Sequence, residues 1–217
     1  MEIVKNSTYR ANIIDINSQG QGVAKINGFT VFISGALLNE EITFKAIKVN
    51  KSFAYGKLLE IHQSSPNRID LGENEKLIRQ IMPLAHMDYR SQLIFKENQV
   101  RQSFSKIGKF KEFTIEKCIG MDNPIHYRNK AQVPVGENDG SLITGIFRRR
   151  SHDIISTDNL YINHLEIDRL VSQIREILNK YKIKAYNEET HIGNIRHIIV
   201  RRGYHSGEIM IILVTKG

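Results

Sequence analysis

The feature that most constrains the fold is the spacing of the first sixty residues, where five short runs of strand-forming residues are separated by turn signals. Thr8 to Asn17 alternates apolar and polar residues, Gln19-Gly20-Gln21-Gly22 interrupts the pattern, and Val23 to Ile26 resumes it. Asn27-Gly28 then leads into Phe29-Thr30-Val31-Phe32-Ile33. Alternation of this kind marks a strand with one buried face, and Asn-Gly between two such runs marks a tight hairpin. After a turn from Ser34 to Asn39, the runs Glu41 to Asn50 and Phe53 to Ile61 complete the set. Five short strands divided by turn residues predict a five-stranded β-barrel of oligonucleotide-binding (OB-like) type over residues 1–62.

Residues 63–68, Gln63-Ser64-Ser65-Pro66-Asn67-Arg68, break the pattern and read as a linker. Beyond it the periods mix. Leu93, Val100, Phe104 and Ile107 recur at helical spacing from Asp88 until Gly108 supplies a stop. A second helix carries Ile167, Leu170, Val171, Ile174, Ile177 and Leu178 on one stripe, with Asp158 or Asn159 as its upstream start. Strands are expected at Thr114 to Met121, Lys130 to Val135, Ile143 to Arg148, Ile195 to Arg201 and Glu208 to Thr215. Residues 69–217 therefore predict an α+β domain on a mainly antiparallel sheet. Its final run, Ile209-Met210-Ile211-Ile212-Leu213-Val214, is apolar throughout and reads as a strand buried on both faces. Such strands sit inside domains, so the expectation is of an incomplete chain.

One cysteine, no tryptophan and no apolar run near the ~20 residues of a membrane span point to a soluble, reduced, cytoplasmic protein without a membrane partner. The formal charge of +8 favours a polyanionic partner such as nucleic acid.

Several motifs carry less than they first suggest. Gly20-Gln21-Gly22 lacks the third glycine and the following helix of a dinucleotide loop, so it reads as a hairpin turn. His191, His197 and His205 have no metal-ligand spacing and read as surface or RNA-facing side chains. Cys118 lies in a strand-like setting without a neighbouring base and reads as a buried structural thiol. The basic segments Tyr127-Arg128-Asn129-Lys130 and Arg148-Arg149-Arg150 are joined by Arg196, Arg201 and Arg202, with Tyr204 and His205 close by. Guanidinium groups beside aromatic rings suit single-stranded RNA, while a solvated charged face is the alternative.

The stretch from Ala11-Asn12-Ile13-Ile14-Asp15 through GQGVAKINGFTVFISGALLNEEITFKAIKVNKSFAYGKLLEI resembles a TRAM domain, the RNA-binding barrel that opens the RNA uracil-5-methyltransferases. SPNRID at Ser65 to Asp70, AHMDYRSQLIFKENQV at Ala85 to Val100, IGMDNPIHYRNKAQVPVG at Ile119 to Gly136 and SHDII at Ser151 to Ile155 are similar to the same family's central domain. RHIIVRRGYHSGEIMIILVTKG at the end continues the likeness. The resemblance implies the RNA-binding portion of an S-adenosylmethionine-dependent 23S rRNA methyltransferase, with transfer RNA as the alternative substrate and a free-standing RNA-binding module or chaperone as the rival reading. Arg128, Asn129, Lys130 and Gln132 match the motif near the target nucleotide, and Lys45, Lys48, Lys51, Arg149, Arg150, Arg201 and Arg202 are expected phosphate contacts.

The chain also departs from the family. Where many members place four cysteines around an iron-sulfur cluster, Glu73, Arg79, Met82 and Leu160 stand here, so no cluster is expected. Met82 and Leu160 are expected to replace the metal by apolar packing. The family's S-adenosylmethionine site, nucleophilic cysteine and carboxylate base belong to a domain that would begin after Gly217, so no catalytic residue is assigned and the chain alone is expected to be inactive. The helix over 88–107 leans on that domain in the family, which here predicts either self-association through its apolar stripe or a helix that is displaced or poorly ordered.

Overall fold

The structure is a computed structural model that describes residues 3–149 and 151–216. The chain separates into two compact units, Met1–Gly120 and Met121–Gly217.

The first unit is organised by a curled six-stranded mixed sheet: β1 (Thr8–Asn12), β2 (Asp15–Ile16), β3 (Gln21–Ile26), β4 (Phe29–Ser34), β5 (Glu41–Val49) and β6 (Phe53–Gln63). Spatial order is β1-β5-β6-β4-β3-β2, antiparallel except for the parallel pair β4–β6. The expected single strand over 8–17 is two strands. Between them Ile13 donates its N–H to the Glu40 carbonyl at 2.9 Å and accepts from Asn39 N–H at 3.0 Å, which turns the chain from one neighbour to the next. Asn27 and Gly28 both adopt positive φ (49° and 83°), as the mirror-image hairpin turn requires.

Alternate residues of β3 to β6 point inward, and Ala24, Val31, Ile33, Ile42, Phe44, Ala46 and Ala54 form the core with Ile3 and Ile13. Gly56 is forced by this packing, because a Cβ there would lie 2.6 Å from the Phe44 ring.

The 63–68 stretch is tied down at its end. Glu40 is fully buried, and its carboxylate accepts from Arg68 Nε at 2.5 Å, Arg68 Nη2 at 2.9 Å and Leu37 N–H at 2.8 Å. A buried charge is tolerable only with such pairing. Helix α1 (Glu75–Ile81) follows, then α2 (Tyr89–Gln102), which starts where the Asp88 side chain accepts from Ser91 N–H at 2.9 Å. The expected helix over 88–107 ends in a π-turn at Ser103–Ile107. Its apolar stripe is only partly covered: Val100 is 44%, Phe104 43% and Ile107 80% exposed.

No strand forms over 114–121. Cys118 N–H is taken by the Glu97 side chain at 2.8 Å rather than by a neighbouring strand. Cys118 is half-buried, not the buried thiol expected from its sequence.

The second unit is a five-stranded antiparallel sheet in the order β11-β10-β7-β8-β9. Its strands are β7 (Lys130–Asn138), β8 (Ser141–Phe147), β9 (Ile154–Ser156), β10 (Ile195–Arg202) and β11 (Ile209–Thr215). Helix α3 (Leu165–Lys180) packs on one face, with Ile167 and Val171 buried. It begins at His164, whose ring accepts from Glu166 N–H at 3.3 Å, not at Asp158 or Asn159. Asp158 instead forms an ion pair with Arg175 on the same helix. The strand expected to be buried on both faces, β11, is an edge strand. Ile209 to Leu213 are 36–56% exposed, and among the described residues nothing pairs with the side of β11 away from β10. Among the described residues no helix is long and apolar enough to cross a membrane.

Candidate nucleic-acid interface

Two surfaces, one on each unit, combine cations with planar groups. On the first unit the residues between the core positions point outward. Phe32 on β4 faces away beside buried Val31 and Ile33, and Phe53 and Tyr55 flank buried Ala54 on β6. The parallel register sets Phe32 opposite Tyr55 and Thr30 opposite Phe53. The three half-buried rings form one patch, with centroids 5.7 Å (Phe32–Phe53), 6.0 Å (Phe32–Tyr55) and 5.5 Å (Phe53–Tyr55) apart.

Lysines border it. Lys45 lies opposite Lys57, Lys48 opposite Tyr55, and Lys25 opposite Thr30, while Lys51 sits in the turn before Phe53. Phe32 also lines a cleft of about 590 Å³ against α2, where Lys106 adds another cation. A ring platform edged by cations holds bases and phosphates of a single strand together.

In the same unit His86 is fully buried, and among the described residues neither ring nitrogen meets a hydrogen-bond partner. Burial, reinforced by the cations of Arg79 and Arg68, pushes its pKa down to about 3, so the ring is neutral. At the expected cluster positions, Glu73 is exposed, and half-buried Arg79 pairs with Glu75 at 3.2 Å. Met82 is half-buried, and Leu160, in the other unit, is buried. Among the described residues no group of three or more His, Cys, Asp or Glu side chains has metal-site geometry.

On the second unit a buried carboxylate organises the surface. Asp168 on α3 accepts from Leu160 N–H at 3.0 Å and from Asn163 Nδ2 at 2.9 Å, and burial raises its pKa. The loop so fixed holds the segment before β7: His126 N–H donates to Tyr161 O at 2.9 Å, Arg128 N–H to Ile162 O at 2.8 Å, and His164 N–H to Arg128 O at 2.8 Å. Arg202 N–H then binds Asn129 O at 2.8 Å, and Lys130 lies opposite Arg201.

The structure thus brings Arg128, Asn129, Lys130, Arg201 and Arg202 to one end of the sheet, with Gln132 exposed two residues along β7. Arg202 is engaged with Glu166 at 2.9 Å, an interaction that lowers the Glu166 pKa; Arg128, Lys130 and Arg201 face solvent. Arg149, just past β8, reaches the same end of the sheet, and Arg150 lies outside the described residues. His191 and His205 are exposed and His197 is half-buried. Sequence reasoning missed the Phe32–Phe53–Tyr55 patch, because the parallel β4–β6 pairing that gathers it is non-local; its one signal was aromatic residues at the outward phase of the alternation.

The family model for the TRAM domain matches residues 4–59. Over nearly its whole length the chain is similar to an uncharacterized RNA methyltransferase of Enterococcus faecalis, 44% identical over 214 residues, 99% of this chain and 47% of the relative. A second such protein, from Halalkalibacterium halodurans, is 40% identical over 215 residues, covering 98% of this chain and 46% of the relative. The chain therefore spans just under half the length of the curated relatives it matches. The crystal structure of the Pyrococcus abyssi tRNA (uracil-54, C5)-methyltransferase in complex with S-adenosyl-L-homocysteine superposes with a TM-score of 0.70 at 22% identity. That match takes in 96% of this chain and 46% of that one, and shows a shared fold. A TRAM domain and RNA methyltransferase relatives together support the family resemblance drawn from the sequence.

Proposed function

We propose that this chain is the RNA-binding portion of an S-adenosylmethionine-dependent RNA (uracil-5-)-methyltransferase. The observation that carries the reading is the outward patch of Phe32, Phe53 and Tyr55 bordered by lysines, on the sheet that matches the TRAM domain. In this reading the patch stacks bases while Lys45, Lys48 and Lys51 neutralise phosphates. The sheet end with Arg128, Asn129, Lys130 and Gln132 contacts RNA near the target uridine, helped by Arg149, Arg150, Arg201 and Arg202. The S-adenosylmethionine site and the catalytic groups are assigned to sequence outside this chain, which alone binds RNA without methylating it. The proposal includes no iron-sulfur cluster, since Glu73, Arg79, Met82 and Leu160 supply no thiolate. Ribosomal 23S RNA is the proposed substrate; transfer RNA, for which the structural neighbour from Pyrococcus abyssi is named, is the second reading.

Fluorescence anisotropy with single-stranded RNA tests it. Phe32→Ala and Tyr55→Ala should each weaken binding by about 1–3 kcal/mol per unstacked base, and Arg128→Ala should weaken it as well. Absence of RNA affinity in low salt, with the fold intact by circular dichroism, would overturn the reading.

A further inference from the structure

His126, just before Tyr127 and Arg128, has a φ of 55°, in the left-handed region where a residue with a Cβ is strained. Tyr161 is left-handed too (φ 55°), and the two meet: His126 N–H donates to Tyr161 O at 2.9 Å. Backbone strain persists only where the surroundings over-determine it, and it gathers at functional sites. Here the surroundings are a relay of buried groups within the second unit. Buried Asp168 accepts from Asn163 Nδ2 at 2.9 Å, and buried Asn163 in turn receives His126 Nδ1 on its backbone carbonyl at 2.8 Å. A carbonyl oxygen only accepts, so Nδ1 carries the proton, and the neutral ring presents Nε2 as an acceptor. Among the described residues no hydrogen bond is made at Nε2.

We infer that His126 contacts RNA by accepting a hydrogen bond at Nε2, and that Asn163 and Asp168 are positioning residues that act through it. The inference rests on the proposal that this end of the sheet meets RNA. Arg128, Lys130 and Arg201 around it carry donors alone, which suits phosphates. An acceptor fixed among them adds what those cations lack, a partner for the donors of sugars and bases. On single-stranded uridine these donors are the 2′-hydroxyl and the uracil N3–H, and an imidazole nitrogen with a free lone pair takes either. The relay fixes which nitrogen is offered, because a ring released from Asn163 O has neither a set tautomer nor a set direction.

Fluorescence anisotropy of the 217-residue chain with oligouridylate tests the inference, since the 2′-hydroxyl and N3–H are the main donors of that probe. His126→Asn separates the two ring nitrogens: asparagine tolerates the left-handed backbone and keeps a donor toward Asn163 O, while the acceptor at Nε2 is lost. Affinity should fall about two- to ten-fold, the worth of one hydrogen bond, with the melting temperature held. A loss that vanishes in oligodeoxyuridylate assigns the contact to the 2′-hydroxyl; one that persists there and vanishes with N3-methyluridine assigns it to the base. Asp168→Asn should weaken binding in the unaltered chain and add little in the His126→Asn chain, whereas a merely structural role would cost the same in both. NMR shifts of the ring nitrogens should show the proton of the neutral ring on Nδ1, and Nε2 as the nitrogen that responds to oligouridylate. A His126→Asn chain that binds like the unaltered one, a neutral ring protonated at Nε2, or an undiminished Asp168→Asn loss in the His126→Asn chain overturns the inference. If Arg128→Ala weakens binding and His126→Asn does not, the proposed function stands and this inference falls; no RNA affinity at all removes both.

Discussion

His86 shows how one residue records its surroundings. With no hydrogen-bond partner at either ring nitrogen among the described residues and two arginines nearby, it stays neutral in the fold down to about pH 3, while an unfolded chain takes up the proton near 6.5. Its folded pKa is depressed, so as pH falls the unfolded state gains protons first and stability drops. The window runs from 6.5 downward, with a slope approaching about 1.4 kcal/mol per pH unit. Carboxylates held low by their partners, such as Asp88 and Asp158, lose stability only at lower pH. Urea denaturation between pH 7 and 5 should therefore show this fall, and His86→Leu should flatten it. An NMR titration in which the His86 ring protonates near 6.5 in the folded chain would refute the account.

At the scale of elements, the caps and edges decide more than the apolar stripes do. Helix α2 has no buried residue, so its start depends strongly on the Asp88 cap and on Gln92 Nε2, which donates to Leu84 O at 3.1 Å and Met87 O at 2.8 Å. Asp88→Ala should cost about 1 kcal/mol, read as a lowered denaturation midpoint and faster amide exchange at residues 90–92. The equivalent change at Asp15, which accepts from its neighbour Ile16 N–H, should leave α2 untouched. Helix α3 contrasts with α2: Ile167 and Val171 of its stripe are buried, Leu170, Ile174 and Leu178 half-buried and Ile177 exposed, and its acidic first turn anchors both Arg202 and the 160–163 loop. The same sheet owes its basic end to this helix, because the loop fixed by Asp168 orients the backbone at Arg128.

For the whole molecule, charge is the property that reaches a partner. A net +8, with exposed lysines beside the aromatic patch and exposed arginines at the sheet end, should give RNA binding with a steep salt dependence. Each phosphate neutralised on a single strand contributes a slope of about −0.7 in log affinity against log salt. Anisotropy titrations over a series of salt concentrations measure it, and replacing Arg128, Lys130 and Arg201 together by alanine should make the slope shallower. A salt-independent affinity would place binding outside these cations.

The sequence by itself determined the local elements. Period-two alternation located β3 to β6 to within a few residues, Asn27-Gly28 set a hairpin, and the stripe from Ile167 to Leu178 defined α3, because these depend on neighbours a few positions away. Tertiary structure decided what each element meets. Residues 114–121 found no strand partner, and Asp158 became an ion-pair partner of Arg175 rather than a cap. The run Ile209 to Val214 has the composition of a central strand, yet among the described residues it lies at an edge, since composition records how well a strand pairs and not how many neighbours it is given. The aromatic patch has the same origin: Phe32 and Tyr55 lie twenty-three positions apart and meet only through the parallel β4–β6 register.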